Sequence, residues 1–270
     1  MTTASIVVHK SPVEELAKAL QCLEDSSVDR VYIIDNSPTL ELKKVVENYK
    51  KAQYRHVENN GFGAGHNLAI KQALEAGADY HLVMNSDVWW EQDVPGEIIR
   101  FMNSHPDAGL VSPKTFYPNG DLQYTCRMLP TPTDLFFKRF LPSSFKKKRM
   151  KTYLLEDFDH NHEINCPYLL GSFMFFRAEA LRECGLFDER FFMYPEDIDI
   201  TRRIHEKWKT IYWPGISIIH EHRQASKKNF KMFWIHFTNM VKYFNKWGWI
   251  KDNKRKIYNK QLRDFIGKSL

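Results

Sequence analysis

The chain has 270 residues, 43% of them hydrophobic and 14% aromatic, with 12 glycines and 12 prolines. That is apolar material for one large domain or two small ones, and it excludes a fibrous, linker-like or disordered chain. A formal net charge of +6 and a pI near 9.0 suit an anionic ligand, an anionic membrane surface or nucleic acid, without choosing among them.

In chain order, "SIVV" reads as a strand and "PVEELAKALQCLE" as a helix. "VYIID" and "TLELKKVVENYKKA", "YRHVEN" and "GAGHNLAIKQALEAG", "YHLVMN" and "VPGEIIRFMNSH" repeat that alternation, and "GLVSPKTF" adds a strand. Such alternation predicts an α/β fold with a mainly parallel sheet flanked by helices. Ligands of such sheets bind beyond the carboxyl ends of the strands, where Asp35, Asn59 and Asp87 fall. An insertion over about 127–160 mixes prolines, aromatics and bases; residues 138–151 hold seven Lys or Arg and no acid. It reads as a loop or short helix with a basic face, either solvated or meeting an anionic partner.

Order resumes with "YLLGSFMFFRAEALRECG", a strand and a short helix. "PEDIDITRRIHEKW" follows as a helix, then "TIYWP" and "SIIH" as two strands. The tail "NFKMFWIHFTNMVKYFNKWGWIKDNKRK" interleaves aromatics and bases at helical spacing. Its first half is expected to pack on the domain, and the remainder carries the weaker case for a membrane surface. The division expected is a domain over 1–225 and a helical, basic extension over 226–270. Cys22, Cys126, Cys166 and Cys184 lack metal-ligand spacing and read as free thiols in a reducing compartment. Without a secretion-signal pattern or ~20 consecutive apolar residues, the expected location is cytoplasmic, with peripheral contact at the inner membrane face.

Several stretches carry candidate chemistry. "HLVMNSDVWW" ends an apolar strand in Asn85, Ser86 and Asp87, which is either a turn or a metal site. "NNGFGAGHN" has Gly61 and Gly63, but His66 stands where a dinucleotide fingerprint needs its third glycine, and no Walker lysine follows. What remains is a close-approach loop opening a helix, suited to a diphosphate or nucleoside. Asp35 in "VYIIDNSP" fits an Asx turn as well as a ligand. In "YPEDIDITRR", Glu196 and Asp197 fall in a first helical turn, where the dipole favours acids by ~0.3–1 kcal/mol each. "IIHEH" places His220 and His222 at a strand end.

Taken in order, "VYIIDNS", "NNGFGAGHN", "LVMNSDV", "GSFMFFRAEALRECGLFDERFFMYPEDIDITRRI" and "IIHEH" resemble the family 2 glycosyltransferases of the GT-A fold, and among them bacterial rhamnosyltransferases. The resemblance covers roughly residues 4–248. It implies a nucleotide diphosphate sugar donor (dTDP- or UDP-linked) and a glycan or lipid-linked acceptor in cell-surface polysaccharide synthesis. Asp35, Gly61, Gly63, Asn67, Asn85, Ser86 and Asp87 would bind the donor. Asp87 and His220, rather than His222, would hold Mg²⁺ or Mn²⁺, to which hard oxygen ligands and a diphosphate are suited. Asp197, with Glu196 as the alternative, would be the base of an inverting transfer, and Arg127, Gly171 and Ser172 would face the acceptor. The family's Thr-Tyr-Asn turn after the first strand is replaced here by "VVHKSP", so His9 would take over part of the nucleotide contact. The alternatives are transfer from UDP-hexose, UDP-N-acetylhexosamine or UDP-galactofuranose, and a module that binds a nucleotide sugar without turnover. Nucleic acid is not expected as a partner, because acids at the strand ends would repel phosphate without a cation.

Overall fold

The computed structural model describes residues 1–135, 143–222 and 230–269. Strands β1 (Thr2–Val8), β2 (Arg30–Asp35), β3 (Ala52–His56) and β4 (Tyr80–Met84) alternate with helices α1 (Val13–Glu24), α2 (Lys43–Val46) and α3 (Phe62–Glu75). Then come β5 (Val88–Trp89), α4 (Val94–Ser104), β6 (Ala108–Phe116), β7 (Leu122–Gln123), β8 (Cys126–Arg127), α5 (Pro132–Leu135) and α6 (Ser143–Leu154). They are followed by β9 (Ile164–Asn165), β10 (Tyr168–Leu169), β11 (Phe173–Arg177), α7 (Ala178–Cys184), α8 (Glu196–His205) and β12 (Lys209–His220). Helices α9 (Phe230–Trp247) and α10 (Asn253–Ser269) come last.

The main sheet runs β3-β2-β1-β4-β11-β6-β12-β5. Its first four strands are parallel, β11 lies antiparallel between β4 and β6, and β12 returns parallel to β6. The central strands are buried on both faces because helices cover both; β1 has Ala4, Ile6 and Val8 wholly buried on one face and Thr3 and Ser5 on the other. Helix α1 presents Leu16, Ala19, Leu20 and Leu23 as one buried stripe. Helix α4 starts where the Asp93 carboxylate accepts from Gly96 N at 3.1 Å, with Pro95 in its first turn.

Three expectations change. The helix expected over 39–52 is one turn, Lys43–Val46, since only Leu42 and Val46 bury there and the lysines stay in solvent. The two strands expected over 210–220 are one, β12, whose register shifts between Trp213 and Ser217. The strand expected from Tyr168 is broken by a turn at 170–172, so β10 pairs with β8 and β11 enters the main sheet.

The tail also packs differently. Met240, Tyr243, Phe244, Leu262 and Ile266 join the core that holds Ile198, Ile200 and Ile204 of α8. Thus the second half of α9 and helix α10 bury, while Phe233 and Trp234 in the first half are about half exposed, at 51% and 48%. No described helix is long and apolar enough to cross a membrane.

A buried polar chain crosses the core between β1, β4 and α3. Thr3 Oγ1 meets His81 Nδ1 at 2.7 Å, His81 Nε2 meets Ser5 Oγ at 2.9 Å, and Ser5 Oγ meets His66 Nδ1 at 2.7 Å. Burial lowers both histidines, His81 to about 3, and His66 further feels the His81 ring. Below the unfolded value of ~6.5, the unfolded chain takes protons that the folded chain refuses, so stability falls with pH until the folded value is reached. Urea unfolding at pH 5 should therefore show a loss of about 2 kcal/mol per histidine relative to pH 7. A stability that stays flat over that interval would contradict neutral, buried imidazoles.

Candidate active site at the carboxyl edge of the sheet

Asp87 follows β4 in the turn to β5. The β5–β12 pairing sets His220 opposite Val88, which brings its ring beside Asp87. His220 Nε2 lies 3.3 Å from Asp87 Oδ1, and the two side chains are 3% and 15% exposed. His220 Nδ1 contacts Gln123 Oε1 at 2.7 Å. The ring thus bridges Gln123 and the Asp87 carboxylate, and either a ring proton or a metal cation would satisfy the Nε2–Oδ1 contact. Burial opposes the charge on Asp87, yet His220 and the nearby His222 hold its carboxyl below the ordinary value, leaving it ionised as a metal ligand must be. His222 stacks edge-on against His220 at 5.3 Å between ring centres. Among the described residues no group of three or more His, Cys, Asp or Glu comes together for a metal. The pair suits a hard divalent ion that completes its shell with ligand phosphates and water.

The opposite wall is the start of α8. Asp197 Oδ2 accepts from Gly171 N at 3.0 Å and Tyr168 Oη at 3.4 Å, and Oδ1 accepts from Ile198 N at 2.8 Å. Both acids of the pair are buried, Glu196 at 4% and Asp197 at 7% exposure. Burial raises both, and Glu196 is raised further by the Asp197 charge; Arg127 and the bonds from Gly171, Ile198 and Tyr168 restrain Asp197. Burial and the Asp197 charge thus favour the neutral form of Glu196, whose Oε2 has no hydrogen-bond partner among the described residues. Glu196 turns toward α3, packing near Gly63, whereas Asp197 turns toward Gly171. The two walls meet at Asn85, whose N donates to Ser172 O at 3.0 Å. Ser86 Oγ reaches Ser11 Oγ at 3.1 Å.

So Asp87 and His220 come together, and Arg127, Gly171 and Ser172 gather with Asn85 around Asp197. The remaining donor-side residues look inward. Asp35 is wholly buried, with Oδ1 accepting from Ser37 N at 2.8 Å and Oδ2 from Tyr54 Oη at 2.6 Å, so its carboxylate shapes the turn. Asn67 is spent on the 187–189 loop, with Nδ2 donating to Phe187 O and Glu189 Oε1 and Oδ1 accepting from Phe187 N. Gly61, at φ 102°, admits the Phe192 carbonyl, and Gly63 leaves room for the Phe187 side chain. The glycines thus seat α3 against the 187–192 loop. His9 lies at the carboxyl end of β1, with Nδ1 2.8 Å from Asn36 O and 3.4 Å from Asn59 Nδ2.

Gln123, Tyr153 and Tyr168 were not expected. Tyr153 and Tyr168 flank Arg127 beside Asp197. Gln123 arrives through the β6–β7 hairpin, whose Asn119-Gly120 turn was a readable signal. A shallow hollow of about 710 Å³ lies elsewhere, near the amino ends of β1 and β4, lined by Met1, Asp79, Tyr80 and Arg177 among others.

Known proteins resemble this chain in sequence and in fold. The chain is 26% identical over 180 residues to N-acetylglucosaminyl-diphospho-decaprenol L-rhamnosyltransferase of Mycobacterium tuberculosis, covering 63% of this chain and 59% of that relative. The chain thus spans under two thirds of the length of that relative. It is 25% identical over 251 residues to rhamnosyltransferase WbbL of Escherichia coli K12, covering 88% and 90%. Among solved structures, TarS of S. aureus superposes with a TM-score of 0.57 at 14% identity, over 90% of this chain and 40% of that one. The mannosyltransferase PcManGT of Pyrobaculum calidifontis, solved with GDP-Man and Mn²⁺, gives 0.57 at 13%, over 91% and 63%. These are GT-A glycosyltransferases, and the sheet described above is the GT-A fold. The family model for glycosyl transferase family 2 matches residues 4–185, and the chain belongs to that family.

Proposed function

We propose that the chain is an inverting, metal-dependent glycosyltransferase that moves L-rhamnose from a dTDP-linked donor to a lipid-linked saccharide. The observation that carries it is the pairing of the Asp87–His220 contact with a buried carboxylate, Asp197, across the Asn85–Ser172 contact. Both rhamnosyltransferase relatives support the sugar, and the Mycobacterium tuberculosis relative supports the acceptor class.

In this reading Asp87 and His220 would hold Mg²⁺ or Mn²⁺, and Gln123, 2.7 Å from His220 Nδ1, would orient the ring. When bound, the ion supplies charge stabilisation for the departing nucleotide. Asp197 takes the proton of the acceptor hydroxyl at a carboxylate oxygen, and protonated Glu196 keeps a second negative charge out of the same site. Gly171 N and Tyr168 Oη orient the Asp197 carboxylate.

Melting curves with dTDP, UDP, GDP and ADP, with and without Mn²⁺, test the donor. A ligand at 100 times its Kd adds about 2.7 kcal/mol to the folded state. A shift with dTDP that needs Mn²⁺, lost in Asp87→Ala, is expected. A shift with UDP alone would keep the transferase and replace the sugar. An equal shift in Asp87→Ala would remove that residue from the metal site. Stabilisation by no nucleotide would favour a different function.

A further inference from the structure

The insertion reaches the site through one side chain. Tyr153 lies in the last turn of α6 and is 8% exposed, while Lys147, Lys148 and Lys151 of the same helix stay in solvent. Its backbone oxygen accepts from Met128 N at 3.1 Å, which ties the end of α6 to the end of β8. Its hydroxyl shares a side-chain hydrogen bond with the Arg127 guanidinium. A guanidinium only donates, so the Tyr153 oxygen accepts.

Arg127 is held from two further sides. Tyr124 O accepts from its Nε at 2.9 Å, and the Tyr168 ring centre lies 5.9 Å from its Cζ. The β8–β10 pairing sets Tyr168 opposite Arg127, and Tyr168 Oη in turn reaches Asp197 Oδ2. Two tyrosines thus bracket one cation, and one of them also touches the carboxylate that the cation favours. The charged groups facing Tyr153 are Arg127 of β8, Asp197 of α8 and Asp134 of α5. Asp134 is itself paired with Arg149 of α6 and accepts from Thr131 N at 2.7 Å. Burial pushes the Tyr153 hydroxyl up to about 12, so it stays a neutral phenol over the range in which carboxylates titrate.

We propose that Tyr153 is a positioning residue: its hydroxyl oxygen fixes the Arg127 guanidinium beside Asp197, so that the insertion helix acts on the base through Arg127. Without that oxygen the Tyr124 carbonyl remains as an acceptor for Arg127, and the terminal nitrogens take up water in its place. The cation then holds the Asp197 carboxylate less firmly, and the carboxyl takes its proton at higher pH. The part this plays in catalysis rests on the reading of Asp197 as the base.

Tyr153→Phe deletes the oxygen and keeps the ring. Carbon-13 NMR of the full chain, labelled at its aspartate carboxyls, reads the ionisation of Asp197 without turnover; loss of a signal in Asp197→Asn identifies it. In Tyr153→Phe the midpoint should rise by about 0.5–1 pH unit, part of the roughly 1–3 units that a neighbouring cation supplies. The melting temperature should fall by no more than about 4 °C, as for one lost hydrogen bond. Arg127→Met should raise the midpoint further, and adding Tyr153→Phe to it should change nothing more. An unchanged or lowered midpoint in Tyr153→Phe overturns the proposal. So does an equal rise once Arg127 is gone, because the tyrosine would then act without it. The kcat profile with dTDP-rhamnose separates this arrangement from the base assignment. An acidic limb that follows the NMR midpoint supports both. A midpoint that moves while the limb stays put upholds the Tyr153–Arg127–Asp197 arrangement and removes Asp197 as the base.

Discussion

Asp197→Asn is expected to lower turnover by roughly 10²- to 10⁴-fold, the range for loss of a positioned base, while nucleotide affinity with Mn²⁺ stays within a factor of a few. The carboxylate is held from two sides, by Gly171 N and Tyr168 Oη on Oδ2 and by Ile198 N on Oδ1. An amide keeps the size but offers one acceptor oxygen, so one backbone N–H loses its partner, which costs about 1–3 kcal/mol locally. The melting temperature must therefore be measured beside the rate, to separate lost chemistry from lost folding. Glu196→Gln should do much less, because the buried Glu196 already carries a proton at neutral pH and an amide imitates that state. If Glu196→Gln alone removes turnover, the two acids have exchanged roles. The pH profile gives an independent reading. Burial raises the Asp197 carboxyl, so the acidic limb of kcat should lie above the ordinary aspartate value of ~3.9. Removing the neighbouring cation with Arg127→Met should move that limb higher still, because Arg127 favours the ionised form.

The strand ends that carry this chemistry were legible because buried parallel strands are apolar runs, and a polar residue at their carboxyl ends is conspicuous. Asp87 and the Glu196–Asp197 pair stood out for that reason. The partner of Asp87 was readable only as one of two histidines; the choice of His220 is made by the β12–β5 register, which no local pattern encodes. Gln123 escaped altogether, since an amide in a two-residue strand has no periodicity. The glycine loop misled in the other direction. Gly61 and Gly63 look like a phosphate cradle in one dimension, but the demand they meet comes from Phe187 and Phe192, far along the chain. Asn67 and Asp35 show the same limit: their side chains are polar and well placed in sequence, and tertiary contacts have already used them. In the tail, helical periodicity was readable but its partner surface was not: Met240, Tyr243 and Phe244 bury, while Phe233 and Trp234 stay half exposed.

That tail carries the second large effect. Arg202 of α8 and Asp252, just before α10, make a bidentate pair at 2.6 and 2.7 Å with side chains 1% and 3% exposed. Trp247 lies under the guanidinium at 4.0 Å from ring centre to carbon. The next turn of α8 is tied to the same helices, with Asp199 accepting from Trp247 Nε1 at 2.8 Å and paired with Lys246 at 2.7 Å. Arg202→Ala or Asp252→Ala leaves one unpaired charge in the core and should cost about 3–5 kcal/mol. In a chain of this size that is a fall of roughly 6–20 °C in melting temperature. Replacing both, Arg202→Met with Asp252→Asn, removes the Arg202–Asp252 pair while an amide oxygen still accepts from Arg255 N, and should recover part of the loss, which a mere packing defect would not do. Deleting residues 251–270 removes Asp252 together with the buried Leu262 and Ile266, so its first consequence should be unfolding of the α8 region rather than release from a membrane. Since α8 begins with Glu196 and Asp197, the clamp also fixes where the base stands. A single variant kept folded at low temperature should therefore lose turnover more than nucleotide affinity. Equal stability of Arg202→Ala and wild type would mean that the C-terminal helices do not hold α8 in solution.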